Sequence, residues 1–125
     1  MEIEIFTLCD YTADNGGKLT VVGTFDNITT QSLPVIQQLG IAIRLRFAAR
    51  QSGDHKIELK ITDPAKSSIA NINGNINVHP PVEPMTYTSI NMALNLGIEI
   101  KTKGVYKIEM HINDEFQSGL SFLVR

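Results

Sequence analysis

Three aspartates, a Gly-Gly-Lys and the chain's single cysteine fall within residues 9–27, CDYTADNGGKLTVVGTFDN, a density of oxygen ligands and glycines suited to holding calcium or phosphate. Each chemistry has a spacing that can be checked. A calcium loop of the EF-hand kind starting at Asp10 needs glycine at its sixth position and glutamate at its twelfth, and those positions hold Asn15 and Val21. A phosphate loop ending at Gly17-Lys18 needs glycine at position 12 and a hydroxyl after the lysine, where the chain has Thr12 and Leu19. The stretch therefore reads as a turn between two strands, in which Asp14 and Asn15 close local bonds and the glycines supply positive φ. A weak cation site shared by Asp10, Asp14 and Asp26 is the remaining chemical reading. His55, His79 and His111 have no zinc-ligand spacing among themselves or with Cys9, which reads as a small core residue. No GxSxG, HExxH or nucleotide fingerprint occurs, so no residue is assigned to catalysis, a cofactor or a metal.

A second feature concerns recognition. From Ser67 to Ile98 the sole charged residue is Glu83. Within this zone Ala70, Ile72, Gly74, Ile76 and Val78 share one strand face and Asn71, Asn73, Asn75 and Asn77 the other. The next strand sets Thr88, Ile90, Met92, Leu94 and Leu96 against Tyr87, Ser89, Asn91, Ala93 and Asn95. Asparagine is depleted in strands, so four in alternation need a reason. One reading is a hydrated outer face of middle strands. The other is a surface that recruits a partner, because amides both donate and accept, and these strands lack the lysines that normally blunt an exposed edge. The candidate partner-binding residues are Asn71, Asn73, Asn75, Asn77, Tyr87, Asn91 and Asn95.

The elements that must carry these residues are strands. Period-two alternation dominates, and at 125 residues with 42% hydrophobic content the chain suits one domain, residues 1–125, with one core. Residues 2–9 change parity near Ile5-Phe6, which predicts a bulge; Lys18 to Asn27 forms a second strand, bent at Gly23. Residues 41–48 and 57–61 alternate strictly and, if paired, would set Glu58 against Arg44 and Arg46. Residues 31–39, QSLPVIQQL, are the one stretch that could coil into a short helix. His79 to Pro84 is a stiff extended connection. For the last two strands, a three-residue loop Asn113-Asp114-Glu115 lines up Ile112 with Phe116, Ile108 with Leu120 and Tyr106 with Phe122; a bulge at Gly119 restoring the register is the alternative. About eight strands result, best packed as an all-β, two-sheet antiparallel sandwich.

A net charge of -2 supplies no basic footprint for nucleic acid or anionic lipid, and no apolar run is long enough for a membrane span. No secretory signal pattern is visible at the N-terminus, so the expected setting is cytoplasmic and soluble.

The blocks IFTLCDYTADNGGKLTVVGTFDNI, IAIRLRF, GNINV and GVYKIEMHINDE, in that order, resemble a family of small bacterial proteins of uncharacterised function. The resemblance implies an immunoglobulin-like β-sandwich and supplies no catalytic residue. Together these readings describe a non-enzymatic binding or assembly module that engages a protein partner or a second copy of itself through sheet edges or the Asn-rich face. The alternative is an enzyme or small-ligand receptor with a polar loop site around Asp10, Asp14, Asp26 and His79.

Overall fold

The alternation in the sequence becomes nine strands in the computed structural model, which describes residues 1–125. They are β1 (Glu2–Asn15), β2 (Lys18–Thr24), β3 (Asn27–Ile28), β4 (Val35–Ala48), β5 (Gly53–Thr62), β6 (Ser68–Val78), β7 (Tyr87–Ile100), β8 (Gly104–Ile112) and β9 (Glu115–Val124). Two sheets form, one ordered β2-β1-β4-β7 and the other β3-β9-β8-β5-β6. All pairings are antiparallel except the short β3–β9 contact, which is parallel. The expected two-layer sandwich is what the chain builds, with one strand more than the alternation alone counted.

The inner faces meet in a single core. Ile41, Ile43, Leu45 and Phe47 of β4 pack against Ile57, Leu59 and Ile61 of β5 and Tyr106, Ile108 and Met110 of β8, all essentially removed from water. Burying side chains of this size contributes roughly 1.5–3 kcal/mol each before the ordering entropy is subtracted, so apolar alternation alone fixes which face of each strand turns inward. In β1 the parity change is a bulge. Glu4 and Ile5 together occupy the place opposite Arg44, which keeps Ile3, Phe6 and Leu8 facing the core while Glu2 and Glu4 stay outside.

Three expectations are corrected. Residues 31–39 hold no α-helix: β4 begins at Val35, and Val35–Leu39 pair residue by residue with Ile100–Leu96 of β7, so a long ladder overrides a weak local helix signal. β4 and β5 do not pair. A single 3-10 turn, Ala49–Gln51, carries the chain from one sheet to the other, and Glu58 faces Asn73 and His111 instead of the arginines. The β8–β9 hairpin closes with a two-residue loop, Asn113-Asp114, at φ 51° and 68°, which sets Ile112 opposite Glu115. A shift between Met110 and His111 then restores the apolar register, so Ile108 meets Leu120 and Tyr106 meets Phe122 as the alternation requires.

Candidate interaction surface

Sheet order places two charge-poor strands at edges. β6 ends the five-stranded sheet and β7 ends the four-stranded one, and the connection 79–86 joins them along one side of the sandwich. The side chains of Asn71, Asn73, Asn75 and Asn77 are exposed on the outer face of β6. Asn73 Nδ2 donates to Asn71 Oδ1 at 3.2 Å, and Asn77 Nδ2 donates to Asp54 Oδ1 at 2.7 Å. One strand further in, Asp54, Lys56, Glu58 and Lys60 of β5 stand opposite Asn77, Asn75, Asn73 and Asn71. The charges thus lie inside the sheet's outer face and the neutral amides lie on its rim, the reverse of the arrangement that protects an edge.

Tyr87, Asn91 and Asn95 lie elsewhere, on the outer face of the four-stranded sheet, and the chain itself engages them. Beyond Cys9, β1 leaves β4 and curls outward with β2, so that the hairpin lies across β4 and β7. Asn95 holds it as a strand neighbour would: its Oδ1 accepts from the Thr12 amide at 3.1 Å and its Nδ2 donates to the Thr12 carbonyl at 2.8 Å. Asn91 Nδ2 donates to the carbonyl of Gly17 at the hairpin tip, 2.9 Å away, while its Oδ1 accepts from Arg44 at 2.8 Å. Arg46 lies 4.2 Å over the Tyr87 ring and pairs with Glu4 at 3.1 Å. The seven candidate residues therefore do not form one surface: four are exposed on one outer face, and three are bound to the hairpin or the charged cluster on the other.

The loop-site residues do not converge. Asp14 Oδ1 accepts from the Gly17 amide at 3.1 Å, closing the tight turn, and Asp26 Oδ1 accepts from Asn27 at 2.7 Å. Gly16 and Gly17 take φ 61° and 84°, as that turn demands. No three His, Cys, Asp or Glu side chains stand where they could share a metal ion. Cys9 is fully buried beneath the hairpin, and burial pushes its thiol above the ordinary value, which disfavours the reactive thiolate. His55 lies tilted against the Phe47 ring and is bonded on both ring nitrogens: to the Gln51 carbonyl at 2.6 Å and to Asn113 Nδ2 at 2.9 Å. Since a carbonyl can only accept, Nε2 carries the proton and Nδ1 accepts. A depression lined in part by Asp63, Ser68, Glu99, Lys101 and Tyr106 contains no histidine or cysteine, and another, lined in part by Phe47, Gln51, Asn113 and Glu115, includes His55. No helix is long and apolar enough to cross a membrane.

A family model described as a family of unknown function (DUF6941) matches residues 4–125. The chain belongs to the DUF6941 family. No curated protein matches it. Because the match begins at residue 4, the β1–β2 hairpin and both charge-poor edges of this DUF6941 chain all lie inside the matched residues.

Proposed function

We propose that this chain is a binding or assembly module that captures an extended segment along the charge-poor side of its sandwich. The observation that carries the reading is β6: eleven residues, Ser68–Val78, at the end of a sheet, with no charged side chain and no proline. An edge strand presents a row of unpaired amides and carbonyls, and strand addition to such an edge is a general mode of peptide capture. β7 at the other edge carries Glu99 as its sole charge, near its far end. Exposed Val82 and Met85 on the connection between them extend the apolar character of that side.

An immunoglobulin-like assignment agrees with this reading. Two features support it: the short β3 lying parallel to β9, and the Tyr106 hydroxyl near the start of β8 donating 2.7 Å back to the Thr102 carbonyl, a bond typical of the corner before the penultimate strand.

The test uses the whole chain in its own cells, with a photo-cross-linker on Asn71→Cys. Adding Asn73→Lys and Asn75→Lys leaves the circular dichroism spectrum unchanged and abolishes the cross-linked adducts. Identical adducts with and without the lysines would remove the proposal.

A further inference from the structure

The edge strand is its own mirror. Residues 71–77 read Asn-Ile-Asn-Gly-Asn-Ile-Asn, the same in both directions about Gly74, and Ala70 and Val78 extend the symmetry with small apolar residues. Nothing in a lone edge strand requires this, since β5 already pairs with β6 through Gly53–Thr62, whose sequence GDHKIELKIT has no such symmetry.

Resting on the edge reading above, we infer that the occupant of β6 is β6 of a second copy, paired antiparallel about a two-fold axis at Gly74. In an isologous contact residue i meets j while j meets i, so an antiparallel strand pair centred on one residue is matched at every position when the sequence is palindromic. Here Asn73 faces Asn75 of the other copy, Asn71 faces Asn77, and Ile72 faces Ile76. Asparagine suits this arrangement because one amide supplies both donor and acceptor, so like residues complete each other, where two lysines or two glutamates would repel. The alternation carries the amide pairs on the outer face and the isoleucine pairs on the inner one. Ile76 is already buried and Ile72 half-buried, so the facing isoleucines continue the existing core. Gly74 sits at the axis and brings no side chain of its own to it; an added β-carbon would meet Ile57 Cγ2 at 3.6 Å, ordinary packing contact on the inner face. The two five-stranded sheets then join into one, and each copy loses its long uncharged edge.

The experiment is sedimentation of the purified chain over a range of concentrations, with three substituted forms. The parent is a dimer. Asn73→Lys with Asn75→Lys sets lysines face to face at two places and weakens the dimer about 100-fold or more. Asn73→Lys with Asn75→Glu sets opposite charges face to face across the axis and restores the dimer. Within each copy this form also suits its neighbours, because residue 73 lies beside Glu58 and residue 75 beside Lys56. The third form is a mixture of Asn73→Cys and Asn75→Cys chains. Residues directly opposite have α-carbons about 4.5–5.5 Å apart, within disulfide reach, whereas diagonal ones are about 7–8 Å apart. The mixed disulfide therefore forms well ahead of either homodisulfide.

A monomeric parent, equal dimerisation of the lysine-lysine and lysine-glutamate forms, or homodisulfides forming as fast as the mixed one would each overturn the self-pairing. A monomeric parent whose cellular adducts still vanish with the lysine pair leaves the edge reading intact and assigns the edge to another protein. Loss of neither overturns both.

Discussion

At the scale of single residues, polar side chains here mostly pin backbone. Tyr106 is 1% exposed yet keeps its hydroxyl bonded to Thr102, with its ring stacked 5.2 Å from Phe122, so one side chain ties the loop after β7 to the inner layer. Asn113 stands at a left-handed position, its Oδ1 accepting from the Lys56 amide at 2.9 Å while its own amide donates to the Lys56 carbonyl at 2.9 Å. The neighbouring Lys56–Asp114 pair, 2.9 Å apart, gives a pH dependence whose sign is fixed. The hydrogen bond from Lys56 holds the Asp114 carboxyl below its ordinary value, and the same bond raises the Lys56 ammonium. The depressed carboxyl contributes stability above its unfolded pKa and loses it as pH falls through the folded value. The raised ammonium contributes below its unfolded pKa and loses it as pH rises through the folded value. Asp114→Asn therefore lowers the denaturation midpoint slightly and evenly through neutral pH, and the gap to the parent closes below about pH 4 and above about pH 10. The effect is small because both side chains lie in open water. A gap that widens toward acid would contradict the assignment. Denaturant titrations of both chains across pH measure it.

At the scale of elements, the β1–β2 hairpin is the unexpected part. It packs a small second layer outside the sheet, in which Cys9, Ala42 and Thr12 are buried and Gly40 allows the approach. A β-carbon at Gly40 would stand 3.0 Å from Cys9 Sγ and 3.1 Å from Asn95 Oδ1, closer than packed atoms comfortably sit. Asn95→Ala leaves the Thr12 amide and carbonyl without their partner and costs about 1–3 kcal/mol. Hydrogen exchange locates that loss: amides of Thr12–Thr20 exchange faster while those of β5 and β8 hold their protection, and uniform loss throughout would show that the hairpin is no separate strap. Alternation made the strands and their inner faces legible in the sequence, since the 2-residue period is local. Pairing was less so. Both β4 and β5 present a complete aliphatic face, which fits two neighbours in one sheet as well as two facing layers, and a turn as short as Ala49–Gln51 decided for the second. The strap was hidden because Asn91 and Asn95 read as part of an outward face, hydrated or partner-binding, and the groups that occupy them, Gly17 and Thr12, lie more than seventy residues away.

At the scale of the whole molecule, charge and hydrogen-bonding capacity are distributed unevenly. The four-stranded sheet covers its own outer face with the hairpin and the Glu2, Glu4, Arg44 and Arg46 cluster, while the side formed by β6 and β7 carries almost no charge. The sequence left open whether the Asn71–Asn77 row lies on a middle strand or an edge, and its missing lysines fit a middle strand as well; strand order, a property of the assembled sheets, decided for the edge. A net charge of -2 on 125 residues provides little general repulsion between copies, so whether they associate depends on the local chemistry of that side. This sets the salt dependence. If neutral amides and isoleucines make the contact, screening has nothing to act on, and the dissociation constant of the purified dimer changes less than about threefold between low salt and 1 M, where the screening length shrinks from about 30 Å to about 3 Å. The Asn73→Lys, Asn75→Lys form behaves oppositely, its residual association strengthening with salt as the facing ammonium groups are screened. Sedimentation at two ionic strengths reads both. A parent dimer that dissociates tenfold or more on adding salt would place the contact on the charged row of β5 or the Glu–Arg cluster, because those are the surfaces on which ionic attraction between copies could be built.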